Sequence, residues 1–364
     1  MQPTNIPLKP EERVLYALRG LYQKYGYSRY KMSKFEEYDL YARNKDFLVS
    51  DGIITFTDTD GRLMALKPDV TLSIIKNTRN AGNGMQKLYY NENVYRISGS
   101  TRSFMEIMQT GLECIGEVDL YSLCEVILLA SRSLEIIDGH SVLDLSHMGV
   151  VSALVDALQP DDDTRERLLA CIGAKNADGA RKLFPGKAID GILALIGAHG
   201  SAPDVIARLR PWCGQGAAKT ALDELETVTR VLSENGCENV RLDFSIVNDM
   251  NYYNGIVFMG YIDGIPTSVL SGGQYDKLIA RMGCGPRAVG FAIYMDQLER
   301  LYDEARDYDV DAVLLYDDGA DVSALSRELR RLTESGQSAV ALRALPKKLR
   351  YRTLIRFPEG GADR

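Results

Sequence analysis

Apolar residues recur at three- and four-residue intervals through residues 10–26, PEERVLYALRGLYQKYG, which predicts an amphipathic helix closed by Gly26. The period then shortens. YSRYKM reads as a short strand, and residues 52–67 as a hairpin: GIITFTD, a turn at Thr59-Asp60-Gly61, then RLMALK. An Asp-Gly pair supplies the positive φ that a tight hairpin turn demands. Pro68 and Asp69 suit the start of a following helix, since proline fits the first turn and a carboxylate favours a helix N-terminus. Two longer strand-like runs come next, 86–97 (QKLYYNENVYRI) and 104–115 (FMEIMQTGLECI), joined by SGSTRS. Alternation in the second run puts Gln109 and Glu113 on one face. Two polar groups on one face read either as the floor of a polar pocket or as a solvent-facing side, and the pattern alone leaves both open.

Residues 119–138 form a long amphipathic helix, and about 149–235 is helix-rich, broken at Gln159-Pro160, Pro185-Gly186, 197–203 and 214–216. That stretch reads as a helical insertion. Strand signals return at 240–244, 255–262 and 266–271, followed by a Gly-Gly turn at Gly272 and Gly273, a helix from Tyr275, and a strand and helix over 287–305. The last segment changes character. DAVLLYDD, DVSALSRELRRLTESG and QSAVALRAL make a β-α-β unit, for which a right-handed crossover is expected. It reads as too small to close a sheet of its own. Its Arg- and Lys-rich end more often marks a solvated face than a nucleic-acid site.

At 364 residues, 45% hydrophobic and 26% charged, the chain can bury a core without disulfides or structural metal. A net charge of −7 argues against a broad nucleic-acid surface. No apolar run reaches the ~20 residues of a membrane helix. The N-terminus lacks the pattern of a signal peptide. The six cysteines are scattered without a CxxC pair, the pattern of reduced thiols in a cytoplasmic protein. His140, His147 and His199 have no metal-ligand spacing, and neither GxGxxG nor a P-loop occurs.

Three segments carry a family resemblance by their order and spacing. They are ALKPDVT (65–71), KLYYNENVYRISGSTRSFMEIMQTGLECIG (87–116), and NDMNYYNGIVFMGY (248–261) followed by SGGQYDKL (271–278) and RAVGFAIYMDQLERL (287–301). Together they resemble the histidyl-tRNA synthetase family: its arginine-proline-glutamate-glycine-threonine element, class II motif 2, the second histidine signature and motif 3. The resemblance implies an α+β class. Residues 1–305 would form a class II aminoacyl-tRNA synthetase-like antiparallel sheet of about six strands flanked by helices. Residues 306–364 would be a truncated anticodon-binding-like unit.

Carried over by position, the resemblance gives a histidine-like pocket from Asp69, Thr71, Arg96, Gln109, Glu113, Tyr252 and Tyr253. It also exposes losses. The motif 2 glutamate is Ser98, three family arginines are Asn248, Gln274 and Gln297, and a motif 3 glycine is Tyr294. Adenylation concentrates negative charge on phosphate, so fixed arginines are its main device, and one preorganised donor is worth roughly 10²–10³ in rate. A fold that keeps the amino acid site and loses the ATP site is similar to the regulatory subunits of ATP phosphoribosyltransferase. That likeness implies no catalysis by the chain itself, no cofactor and no metal. It also implies a homodimer through residues 26–50 and a hetero-oligomer with a short-form catalytic subunit. Histidine would control the first step of its own biosynthesis, bound either in the synthetase-like pocket or at the partner interface. A synthetase-like ligase acting on another acceptor and a free-standing histidine sensor are the alternatives.

Overall fold

The computed structural model describes residues 8–45, 52–78, 84–98, 101–247, 252–283, 286–301 and 308–357. From the N-terminus come α1 (Pro10–Lys24), β1 (Ser28–Arg29), β2 (Phe35–Glu37), α2 (Tyr38–Ala42), β3 (Thr55–Thr57), β4 (Leu63–Leu66) and α3 (Thr71–Thr78). The long hairpin β5 (Gln86–Ile97) and β6 (Phe104–Gly116) leads into α4 (Leu120–Ile137), β7 (Ser141–His147) and α5 (Met148–Asp156). Then follow α6 (Asp162–Gly173), α7 (Ala177–Leu183), α8 (Asp190–Ile196), β8 (His199–Gly200), α9 (Ala202–Leu209) and α10 (Gly216–Glu234). The first unit ends with β9 (Val240–Asp243), β10 (Ile256–Ile262), β11 (Leu270–Gln274), α11 (Asp276–Met282), β12 (Arg287–Tyr294) and a 3-10 turn, Met295–Leu301. The second holds β13 (Val310–Leu315), α12 (Val322–Glu334), β14 (Ala339–Leu342) and β15 (Tyr351–Arg356). Contacts divide the chain into Met1–Tyr302 and Asp303–Arg364.

Local chemistry sets these boundaries. In α1, Pro10 occupies the first turn and the Glu12 carboxylate accepts the Lys9 N–H at 2.8 Å. The helix stops at Gly26, whose φ of +82° lets the Tyr27 N–H turn back to the Tyr22 carbonyl. The β3–β4 turn is held by the Asp58 carboxylate, which accepts the N–H groups of Asp60 and Arg62 at 2.9 and 2.8 Å, with Gly61 at φ +81°. Asp119 caps α4 by accepting the Ser122 N–H at 2.8 Å.

The main sheet has nine strands among the described residues, in the order β1-β5-β6-β12-β11-β10-β7-β9-β8. Its middle six, from β5 to β7, are antiparallel, while β1–β5 and β7–β9 are parallel. One face packs on α4 and α1 through Tyr22, Phe258 and Phe291, whose rings meet at 6.1–6.3 Å. Gly260 lies beneath α4, and a Cβ there would press on both Leu134 methyls at 2.8 Å. The opposite face carries Gln109 and Glu113 and is bordered by α3 and α11.

Four sequence expectations need correction. Gly272 and Gly273 do not form a turn; both lie inside β11, which begins at Leu270. They are glycine for lack of room: a Cβ on Gly272 would stand 2.5 Å from the Gly290 carbonyl oxygen and from Phe291 Cβ. The helix-rich stretch is not purely helical, because β8 pairs with β9 and joins the main sheet. Neither β2 nor β7 was anticipated, and β7 lies inside the main sheet, with Leu143 and Leu145 fully buried. The C-terminal unit does form its own sheet, the parallel order β14-β13-β15, because LRYRTLIRF supplies a third strand beside β13. Ala312, Leu314, Leu325 and Leu332 form its core beneath α12.

Gly272→Ala should lower stability by about 1–3 kcal/mol, the range for overpacking a filled site. Urea denaturation checks it, and an unchanged midpoint would mean that β10–β12 are looser than described.

Candidate functional site

The site grows from a loop that β5 grips. Lys67, following β4, is fully buried, and its ammonium lies 2.6 Å from the Glu92 carboxylate on β5. Its carbonyl accepts the Tyr95 N–H at 2.9 Å. Four residues beyond Glu92, Arg96 donates from Nε to the Pro68 carbonyl at 3.0 Å. These bonds fix the start of α3, where the buried Asp69 carboxylate accepts the Leu72 N–H at 2.8 Å. Arg96 is thus turned onto the loop backbone, beside Asp69.

Across from that loop, Glu113 on β6 is 2% exposed. Thr71 donates to one of its oxygens at 2.8 Å and the Tyr275 hydroxyl to the other at 2.5 Å. Gly290 on β12 faces Glu113, and a Cβ there would collide with the carboxylate. Thr71 is also hydrogen-bonded to Tyr252. The Tyr252 ring meets Tyr253 edge-on at 4.7 Å and lies 5.8 Å from Tyr275. Tyr90 on β5 completes the wall, lying over Gly111, its partner on β6. Gln109 shares the Glu113 face and is 3% exposed, and its side chain has no hydrogen-bond partner among the described residues. Asp69, Thr71, Glu113, Tyr252 and Tyr253 therefore meet, and Gln109 borders them. Tyr275 and Tyr90 were not singled out from sequence; the Tyr-Asp pair after SGGQ was the signal for the first.

Burial dominates the electrostatics. It pushes the Glu113 carboxyl up to about 8 against the pull of the Tyr275 and Thr71 hydroxyls, with the Asp69 charge adding to the rise. Burial also raises Asp69, opposed by the Leu72 N–H and by Arg96. The hydroxyls of Tyr90, Tyr252 and Tyr275 are held well above their ordinary range by burial and the nearby carboxyls. A neutral Glu113 can donate a proton to, or share one with, a ring nitrogen whose own pKa is ~6.5. The arrangement suits a small ligand carrying a basic nitrogen.

The positions matched to the ATP apparatus make bonds within the protein. The Gln274 side chain accepts the Ile256 N–H at 2.7 Å and fills the space left by Gly255. Gln297 accepts from Thr267 at 3.0 Å and donates to Asp296 at 3.1 Å. The Tyr294 hydroxyl meets that of Ser271 at 2.8 Å. Ser98 closes the β5–β6 tip through backbone bonds to Ser103 and Arg102. Asn248 lies outside the described residues. His147, elsewhere, is buried, caps α5 and contacts Glu224 at 3.2 Å.

Glu113 ionises near 4.5 when unfolded and near 8 in the native site. Its contribution to stability is whole below the first value and lost as pH rises through the second, because the unfolded chain sheds the proton earlier. Glu113→Gln removes that dependence. Its Tm relative to the parent protein should rise between about pH 5 and pH 8.5; a constant difference would place an ionised Glu113 in the native pocket.

The match to known proteins is extensive. The family model for histidyl-tRNA synthetase covers residues 7–298. The ATP phosphoribosyltransferase regulatory subunit of Desulfitobacterium hafniense is 30% identical over 298 residues, 79% of this chain and 76% of that one. A Bacillus halodurans structure described as an ATP phosphoribosyltransferase regulatory subunit/histidyl-tRNA synthetase superposes with a TM-score of 0.79 at 22% identity, covering 98% of this chain and 99% of that one. A chain of the ATP phosphoribosyl transferase (HisG:HisZ) complex from Thermotoga maritima gives 0.63 at 20% identity, covering 78% and 97%. The two structures show a shared fold, and the sequence matches show descent: the chain belongs to the histidyl-tRNA synthetase family, in the branch of the ATP phosphoribosyltransferase regulatory subunits.

Proposed function

We propose that this chain is a non-catalytic regulatory subunit that assembles with a short-form ATP phosphoribosyltransferase catalytic chain in the cytoplasm and makes it responsive to histidine. One observation carries the reading: the acid and hydroxyl groups around Glu113 are kept, while Gln274 and Gln297 spend their side chains on internal bonds. A pocket that holds an amino acid beside a disarmed phosphate site binds its ligand without activating it. Such a ligand controls a partner only by binding one assembly state more tightly than another. The names of the relatives supply the partner, and the fold shared with the T. maritima complex is consistent with such an assembly. A homodimer through residues 26–50 belongs to the same proposal. Among the described residues no helix is long and apolar enough to cross a membrane.

The purified protein should show no histidine-dependent ATP–pyrophosphate exchange. It should co-purify with the catalytic chain of the same organism and raise its activity. Exchange clearly above background, or a catalytic chain indifferent to stoichiometric addition, refutes the assignment.

Histidine binding, measured by calorimetry on the assembled complex, should weaken about ten- to a hundred-fold in Glu113→Ala, the range for losing one charge-assisted hydrogen bond. Equal affinity in the two complexes would move the effector site to the partner interface.

A further inference from the structure

Tyr294 stands directly across from Gln109 in the β6–β12 register, and paired residues point to the same face of a sheet. Four residues along β6 on that face sits Glu113, opposite Gly290. The pocket therefore has two ends. The Glu113 end is closed by Thr71, Tyr252 and Tyr275. The other end borders Gln109, nearly buried, whose side chain has no hydrogen-bond partner among the described residues. There the sheet floor is built by Ala292 and by its partner Ser271 on the next strand, while Tyr90 covers Gly111. Tyr294 reaches across from β12 to β11, where its hydroxyl bonds Ser271, the register partner of Ala292.

We infer that Tyr294 limits the length of the ligand: the site takes a free amino acid and rejects one whose carboxyl carries a further group. The inference rests on the pocket reading above. A ligand with its basic ring toward Glu113 places its amino and carboxyl groups at the Gln109 end. Any extension from the carboxyl then runs into the Tyr294 ring, which Ser271 holds down. Bulk alone imposes the limit, so it applies to an uncharged extension as much as to a phosphorylated one. This separates it from the loss of arginines, which would weaken charged extensions only.

The test uses the full chain and two probes, histidine and histidine benzyl ester, with calorimetry on the parent protein, Tyr294→Ala and Tyr294→Phe. Comparing each ester affinity with histidine on the same protein cancels general effects of substitution, and a thermal melt confirms folding. The ester should gain about ten- to thirty-fold relative to histidine in Tyr294→Ala, of the order that relieved overpacking gives. Tyr294→Phe, which keeps the ring and loses only the Ser271 bond, should gain less than about three-fold. Ester binding to the parent within about three-fold of histidine, or an equal gain in both variants, overturns the inference. Failure of histidine itself to bind any of the proteins refutes the pocket reading, and this inference falls with it.

Discussion

Lys67 is a charged side chain with no exposure at all, and the geometry of the pocket hangs on how it is compensated. Burial works against its charge, and the Glu92 carboxylate at 2.6 Å restores it. A buried ion pair adds little net stability over an apolar pair, but losing one partner costs about 3–5 kcal/mol because the other charge is stranded. Such a pair acts as a locator. With Arg96 holding the Pro68 carbonyl, two side chains four residues apart on β5 clamp two consecutive residues, Lys67 and Pro68. Asp69 and Thr71 then begin α3 facing Glu113, with no freedom to turn aside.

The replaced positions show how a site loses one function without losing its frame. An arginine aimed at a phosphate is costly to bury without its ligand. Gln274 instead satisfies the backbone N–H that opens β10, and Gln297 ties the turn after β12 to Thr267. Both have become parts of the scaffold. The acids have not: Glu113 and Asp69 remain carboxyls in surroundings that raise their pKa values. Two buried carboxyls whose charges oppose each other, with Arg96 offsetting that of Asp69, are an unfavourable arrangement in a protein that gains nothing from them.

Much of this was legible in the sequence because it rests on local rules. The helix ending at Gly26, the Asp-Gly hairpin and the β5–β6 alternation each follow from periodicity or turn chemistry. Alternation alone put Gln109 and Glu113 on one face but could not say whether that face met water; both proved buried. Gly272 and Gly273 were misread because glycine is required both in turns and where strands crowd, and only the neighbours Phe291 and Tyr253 tell these apart. β7 was missed since its short run sits between two helices and its pairing with β10 spans more than a hundred residues. Tyr275 reaches Glu113 only through the fold, across 162 positions of sequence.

Gly290 and Glu113 also constrain the order in which this protein can change. A Cβ at 290 would collide with the Glu113 carboxylate and would also stand 2.6 Å from the Leu112 carbonyl oxygen. Losing the acid alone therefore does not free the position, because the backbone of the neighbouring strand stays where it is. The dependence runs one way: the acid needs the glycine, while the glycine answers to the strand beside it whether or not the acid is kept. A substitution at 113 leaves that space unfilled, so the acid can return in a single step for as long as the glycine stands.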